Sequence, residues 1–126
     1  MLNYDEVTEA VRERLETALG VPVFVGALPP NGGMALTVNS GTVQRDMAGN
    51  AFCRLRIGVN AKAAGQPDVV QAMGEAHAAL IDMTAETKDW QLTGISVTSA
   101  PAVATLDAAG NYITMSQIEV RVTFWA

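Results

Sequence analysis

The sequence predicts an α+β fold in which two helices pack on one face of a mostly antiparallel sheet of about five strands, in the order α-β-β-β-α-β-β. Two stretches carry apolar residues at spacings of three and four, as amphipathic helices do, and the other segments are alternating or β-branched runs. Helices and strands do not alternate regularly, which favours an antiparallel sheet. With 126 residues, the chain is predicted to form one domain over residues 1–126.

The first helix is predicted from Tyr4 to Leu19. Its apolar face consists of six residues at helical spacing: Val7, Ala10, Val11, Leu15, Ala18 and Leu19. Gly20 stands where a glycine commonly ends a helix. The opposite face is polar and acidic, with Arg12 and Glu16 spaced to form an ion pair.

Three strands are predicted between the helices: Val21–Val25, Met34–Asn39 and Ala51–Ala61. The first ends at the turn signal of residues 28–33, which contains two prolines and two glycines. Between the second and third strands lies a polar stretch, residues 40–50, which is predicted to be a long loop. Hairpin connections of this length are often functional.

The third strand predicts two contrasting faces for the sheet. One side carries the apolar residues expected in the core: Cys53, Leu55, Ile57 and Val59. The other side carries Phe52, Arg54, Arg56 and Gly58. We expect that second side to be wet or covered by a partner.

The second helix is predicted to begin near Pro67 and to end between residues 81 and 86. Its apolar face consists of Val69, Ala72, Met73, Ala76, Leu80 and Met83. A strand follows at Gly94–Ser99, and Pro101 is expected to confine it to an edge or to end it. The last turn is predicted at residues 107–111.

The closing strand is predicted to run from Tyr112 towards Trp125. Its apolar residues fall into two phases: Ile113 and Met115 in one, and Ile118, Val120, Val122 and Phe124 in the other. Because a slip of one residue moves side chains to the opposite face, we predict a β-bulge or sharp bend near residues 116–117. The half after the slip is expected to pack beneath the helices. The half before it, with loop 40–50, is expected to meet a neighbouring subunit.

Charge and motif spacing argue against several classes of function. The formal net charge of −5 opposes a main role in gripping nucleic acid, because that affinity comes largely from Lys and Arg. His77 is the single histidine and has no second metal ligand at suitable spacing. No phosphate loop, dinucleotide fingerprint or nucleophile elbow is present. We therefore expect no enzyme activity, no cofactor and no metal, and Cys53 is expected to be a buried thiol.

The membrane and secretion signals are also missing from the sequence. No run approaches the roughly 20 apolar residues that a membrane-spanning helix needs, and the N-terminal residues lack the pattern of a signal peptide. We expect synthesis in the cytoplasm and no membrane partner.

Surface residues without a chemical role suggest a subunit of an assembly, since arginine and aromatic residues are over-represented at interface hot spots. The candidate interface residues are Arg45, Asp46 and Met47 in the loop, Arg54 and Arg56 on the third strand, and Trp90. Trp90 is expected to be exposed. An alternative for Trp90 and Trp125 is that they complete the core.

Several short segments together carry a family resemblance. They are the helix Tyr4–Leu19, the turn Gly26-Ala27-Leu28-Pro29, the strand Arg54-Leu55-Arg56-Ile57-Gly58-Val59, the helix Val69–Asp82, and Pro101 followed by Leu106-Asp107-Ala108-Ala109-Gly110-Asn111-Tyr112. In this order they resemble the tail-terminator or minor-capsid proteins of long-tailed bacteriophages, over nearly the whole chain. The resemblance implies a structural protein of the virion tail or neck. Such proteins form a ring, usually of six subunits, that caps the finished tail tube and receives the head connector.

The implied partners are other copies of the chain, a tail-tube protein and a head-connector protein. A ring needs a heterologous interface on every subunit, with edge strands and loops that reach a neighbour. DNA would pass through the ring without specific binding. If the acidic residues faced the channel, they would repel the passing DNA.

Two alternatives stay open on the sequence. Head-completion or stopper proteins of the same neck region have comparable sizes. A small oligomeric domain that binds a metabolite in a cleft between subunits is the other alternative, with His77 or Arg54 as its polar contact.

Overall fold

The computed structural model describes residues 2–99 and 105–126, and Pro101, on which one expectation rests, lies outside this part of the chain. Its elements are α1 (Tyr4–Leu19), β1 (Val23–Val25), β2 (Gly33–Arg45), β3 (Ala51–Ala63), α2 (Gln66–Ile81), β4 (Trp90–Ser99), β5 (Thr105–Leu106) and β6 (Tyr112–Phe124). This order confirms the predicted α+β fold, with the two-residue β5 as an additional short strand.

The strands form one sheet in the order β1-β2-β3-β6-β4, and β5 pairs with β6. β1 is parallel to β2, and the other described pairings are antiparallel. Since β3 and β4 both lie antiparallel to β6, they run in the same direction. A connection between such strands needs a crossover, and α2 provides it across one face of the sheet.

The hydrophobic core lies between the sheet and the two helices. The helices contribute most of their predicted apolar faces, chiefly Val7, Val11 and Leu15 from α1 and Val69, Met73, Ala76 and Leu80 from α2, whereas Ala18 is exposed. The sheet contributes Cys53, Leu55, Ile57 and Val59 from β3, and Ile118, Val120, Val122 and Phe124 from β6. Each fully buried Val, Leu, Ile, Met or Phe side chain stabilises the fold by roughly 1.5–3 kcal/mol relative to exposure.

Helix α1 ends and attaches to the sheet as its sequence predicts. Gly20 adopts the left-handed conformation (φ 68°), and its N–H donates to the Glu16 carbonyl at 2.8 Å. Arg12 forms the predicted ion pair with Glu16 and a second one with Glu9. The Glu16 carboxylate also accepts a hydrogen bond from the N–H of Val23 at 3.3 Å, which connects α1 to β1. Neither helix in the described residues is long and apolar enough to cross a membrane.

The predicted long loop at residues 40–50 is wrong. β2 continues to Arg45 and β3 begins at Ala51, so the hairpin connection is only five residues long. Residues 40–45 are exposed on both faces of the sheet, and their pairing with β3 depends on backbone hydrogen bonds. A strand segment of this kind carries no apolar alternation that the sequence could reveal. The register shifts once, between Val38 and Ser40.

The predicted bulge in the closing strand is also wrong. β6 pairs with β3 without a break, from Ala51↔Phe124 to Ala63↔Tyr112. The even-numbered residues face the core throughout, but Thr114 and Ser116 are polar, which imitates a change of phase. The irregularities lie instead in the pairing of β4 with β6, between Leu92/Gly94 and between Val97/Ser99.

The same register corrects the expected meeting surface. The hairpin connection of residues 46–50 lies at the Phe124 end of β6, because Ala51 is paired with Phe124. The Tyr112 half of β6 lies at the opposite end of the sheet, beside Ala63. The two segments expected to meet one neighbour together are therefore at opposite ends of the molecule.

Candidate protein-protein interface

The face of the sheet that points away from the helices is uncovered in the described part of the chain. On β3 it presents Phe52, Arg54 and Arg56, all exposed, as the alternation predicts. On β6 the neighbouring outward residues are Gln117, Glu119 and Arg121. We call this surface of β2, β3, β6 and β4 the bare face.

The bare face brings three arginines close together. In the β3–β6 register, Arg54 stands directly opposite Arg121, and Arg56 stands opposite Glu119. Arg121 donates to Ser96 Oγ at 3.1 Å, and its Nη1 lies 3.6 Å from Glu119 Oε1. Arg54 and Arg56 form no hydrogen bond or ion pair with any described residue. Like charges placed directly opposite in a sheet are destabilising, so this arrangement favours an incoming negative group.

A shallow cleft of about 440 Å³ opens on the bare face beside these arginines. Its lining includes Thr42 and Gln44 from β2, Phe52 and Arg54 from β3, Thr93 from β4, and Arg121 and Thr123 from β6. Phe52, 47% exposed, provides an apolar surface among hydroxyl, amide and guanidinium groups. Such a mixture can bind carboxylates through the guanidinium groups while it buries an apolar contact.

A second surface of opposite charge lies on the helix side of the sheet. A groove of about 860 Å³ runs between α1 and the segment that leads into β4. Six acidic residues line it: Asp5, Glu6, Glu9, Glu13, Glu86 and Asp89. Its one basic lining residue among the described residues is Lys88, and Ala10, Ala85 and Trp90 supply its apolar part. We call this surface the acidic groove.

Trp90 is the candidate whose expected exposure is wrong, because its side chain is only 2% exposed. A turn directs it inward: Thr87 Oγ1 accepts hydrogen bonds from the N–H groups of Asp89 and Trp90, each at 3.1 Å. The indole Nε1 donates to Glu6 Oε2 at 2.9 Å. The alternative that Trp90 completes the core is therefore confirmed. The exposure that made it an interface candidate is absent.

Arg45, Asp46 and Met47 lie at the tip of the β2–β3 hairpin, which is well structured. The Asp46 carboxylate accepts hydrogen bonds from the N–H groups of Ala48 and Asn50, each at 2.9 Å. Arg45 Nη1 donates to the carbonyl of Gly49 at 3.2 Å. The Met47 side chain has no protection from solvent, so the tip presents one flexible apolar group on a rigid turn.

The turn before β6 is built in the same way. Residues 46–50 and 107–111 share the pattern Asp-x-Ala-Gly-Asn. Asp107 accepts from the N–H groups of Asn111 at 2.8 Å and Ala109 at 2.9 Å, and it pairs with Lys62 at 3.2 Å. These hydrogen bonds, chiefly the one from Asn111, and the charge of Lys62 lower the pKa of Asp107. The recurrence of this pattern is the signal that could have predicted the short hairpin.

The predicted candidates thus separate into three places: the hairpin tip, the bare face and the core. The structure adds Arg121 to Arg54 and Arg56, a residue that sequence reasoning missed. Its outward position follows from the phase of the second half of the closing strand, but its position opposite Arg54 depends on the register between two distant strands. The acidic groove was missed as well, because it combines α1 with a segment far along the chain.

His77 and Arg54, each expected as the possible polar contact of a metabolite-binding domain, lie on opposite sides of the sheet. His77 lies on α2 on the core side of the sheet, where its Nε2 is 2.8 Å from Ser116 Oγ. Burial lowers the pKa of His77 and raises that of the Cys53 thiol, which is 2% exposed. Residues 2–99 and 105–126 contain no group of three His, Cys, Asp or Glu side chains that could hold a metal ion.

These features define a two-layer α+β protein whose two outer surfaces carry opposite charge. Among solved structures, the chain is similar to a chain of the "Virion of native gene transfer agent (GTA) particle". The TM-score is 0.56 at 19% sequence identity, and the match covers 93% of this chain and 94% of that one. No protein-family model matches the sequence, and no curated protein matches it either. At this level of identity the likeness establishes a shared fold.

Proposed function

We propose that the chain is a virion structural protein: one subunit of a ring, of six copies by the family resemblance, that terminates the tail tube and joins it to the head connector. The observation that carries this proposal is the fold shared along nearly the whole chain with a virion component. The order of elements, which resembles that of tail-terminator proteins, supports the finer assignment to the tail or neck.

The surfaces of the molecule suit such a role. The bare face and the acidic groove provide two different contact regions on one subunit, as a closed ring with heterologous interfaces requires. The proposed role is that of a structural subunit and does not require catalytic residues. The net charge of −5 suits a protein past which DNA moves without being held.

The direct test is deletion of the gene from the genome of the phage or phage-like particle that encodes it. Without a terminator, subunits would continue to add to the tail tube and heads would remain unattached. We therefore expect separate heads and overlong tails by negative-stain electron microscopy, and restoration by the wild-type gene. Joined particles with tails of normal length in the deletion strain would refute the proposal.

The location of the protein separates a tail terminator from a head-side stopper. An epitope tag on the protein, detected by gold-labelled antibody, is expected at the head-proximal end of the tail. In a strain blocked in head assembly, the label should remain on free tails. Label on free heads in a strain blocked in tail assembly, with none on free tails, would instead assign the chain to the head side of the neck.

A further inference from the structure

We infer that the bare face of one copy docks into the acidic groove of a second copy, in a repeated front-to-back contact. This inference deepens the proposed function, on which it rests for the existence of a ring, and names the two surfaces that form each interface. The partner is therefore another copy of this chain.

The first step is the distribution of charge. The two helices and the segment after α2 carry ten acidic side chains against three basic ones: Asp5, Glu6, Glu9, Glu13, Glu16, Asp68, Glu75, Asp82, Glu86 and Asp89 against Arg12, Arg14 and Lys88. The bare face carries three arginines, Arg54, Arg56 and Arg121, and one acidic residue, Glu119, whereas Lys62 on the same side of β3 is already paired with Asp107 at 3.2 Å. The two sides of the molecule are therefore electrostatically complementary to each other.

The second step is the position of the two surfaces. Trp90, which lines the acidic groove, is paired with Phe124 on β6. Arg121 is three residues away on the same strand, about 10 Å at the usual rise of a β-strand. The groove and the arginines are thus back to back at one end of the sheet. A second copy that is stacked on the helix side of the first presents its bare face to the first copy's groove. If each copy is also rotated slightly relative to the one before it, repeated contacts of this kind can close into a ring.

The third step is what each surface lacks in the isolated chain. On the bare face, Arg54 is opposite Arg121 and has no carboxylate partner among the described residues. In the groove, Glu13 and Glu86 likewise have no basic partner in the described part of the chain. One front-to-back contact places groove carboxylates beside these guanidinium groups and allows bidentate pairing between them. Phe52 can then lie against the apolar part of the groove, which Ala10 and Ala85 provide.

Nucleic acid satisfies these observations less well. Phosphates would neutralise the bare face but would leave the six groove carboxylates unpaired and would be repelled by them. The net charge of −5 opposes such binding at long range. A second copy supplies groups of opposite charge to both the bare face and the acidic groove.

The test uses two charge-reversal variants of the full chain. Arg54→Glu with Arg56→Glu makes the bare face acidic, and Glu13→Lys with Glu86→Lys makes the groove basic. All four residues are exposed, so we expect the substitutions to leave the fold intact. Circular dichroism and thermal unfolding check this expectation. Self-association is measured by sedimentation velocity over a concentration series at low ionic strength. The matched control is Glu75→Lys with Asp82→Lys, which makes the same change of net charge on the helix side but outside the groove.

We expect each reversal variant alone to associate at least about 100-fold more weakly than wild type, because like charges then face each other. The control should associate as wild type does or more strongly. An equimolar mixture of the two reversal variants should regain association, since each variant now complements the other. Wild-type association should also weaken as salt is raised from about 0.05 M to about 0.5 M, as the Debye length shortens.

Three results would overturn the inference. They are unchanged association in both reversal variants, lost association that the mixture does not restore, and a wild-type chain that stays monomeric at its highest soluble concentration. Binding of double-stranded DNA that disappears in the Arg54→Glu, Arg56→Glu variant while association is unchanged would replace the partner by nucleic acid. None of these results bears on the gene-deletion phenotype, so the proposed function stands or falls separately.

Discussion

The two faces of the β3–β6 strand pair use the same backbone for different purposes. On the face that packs against the helices, which we call the covered face, Ile57 and Ile118 are opposite each other and have no exposed surface. On the bare face, one residue away along each strand, Arg56 is opposite Glu119 and both reach solvent. The period of two therefore separates buried side chains, which stabilise the fold, from exposed side chains, which we propose to form the interface. Substitutions on one face should change unfolding, and those on the other should change association.

The largest expected effect is the loss of stability caused by a substitution on the covered face. Ile57→Ala should lower the free energy of unfolding by about 2 to 5 kcal/mol, because it removes a buried side chain and leaves a cavity. The adjacent substitution Arg56→Ala should lower it by only about 0.2 to 1 kcal/mol, because the site is exposed and loses one cross-strand pairing with Glu119. Urea denaturation at neutral pH measures both. Equal effects would mean that the two faces are not distinct in the way described.

A smaller effect is expected at Trp90, the first residue of β4, which is buried on the covered face. Trp90→Phe should cost about 1 to 3 kcal/mol, because it removes part of a buried side chain and leaves the hydrogen bond to Glu6 unmade. Glu6→Gln keeps an acceptor for the indole and serves as the matched control. A free energy of unfolding unchanged by Trp90→Phe would return this residue to the list of surface candidates.

Two single substitutions on the bare face are expected to change the free energy of unfolding in opposite directions. Arg54→Gln removes a like-charge pairing with Arg121 and should raise the free energy of unfolding of the monomer by about 0.2 to 1 kcal/mol. Arg56→Gln removes a favourable pairing with Glu119 and should lower it by a similar small amount, about 0.2 to 1 kcal/mol. Both differences should shrink with added salt. The same sign for both variants at low salt would contradict the cross-strand register as their cause.

The smallest expected effect is on how the free energy of unfolding depends on pH. It arises from His77, which lies beside the polar residue Ser116 on the covered face. Burial lowers the pKa of His77 below its ordinary value of 6.5, so the unfolded chain binds more protons just below that pH. Stability that is full above pH 6.5 should therefore fall as the pH drops below it. His77→Gln should remove this part of the slope in denaturation curves measured at a series of pH values.

Asp107 provides the contrasting pH window for that measurement. Its pKa is lowered from the ordinary value of 3.8, chiefly by the hydrogen bond from the Asn111 backbone, so its stabilising effect is present above that pH. The effect is lost as the pH falls through the lowered value. Asp107→Asn should flatten the curve there and leave the region near pH 6 unchanged. A His77→Gln variant with the wild-type slope near pH 6 would remove His77 as the cause.

The helices could be predicted closely because their signals are local. The predicted range of α1 agrees with the structure at both ends, since apolar residues at helical spacing and Gly20 mark its extent. The extent of β2 could not be predicted in this way, because residues 40–45 depend on hydrogen bonds to β3 and have no buried side. The polar Thr114 and Ser116 on the core face imitated a bulge for a related reason: Ser116 is satisfied by His77 and by the Val59 carbonyl, which are distant in sequence.

The candidate interface likewise has features that local sequence predicts and features that depend on the tertiary structure. The sequence by itself determined that Arg54 and Arg56 point away from the core, because alternation along one strand is enough to fix a side chain's face. Only the tertiary structure decided that Arg121 stands opposite Arg54, that Trp90 is buried against Glu6, and that α1 forms an acidic groove with a segment about eighty residues further on. Strand register and helix-to-loop packing join distant parts of the chain, and no local pattern encodes that pairing.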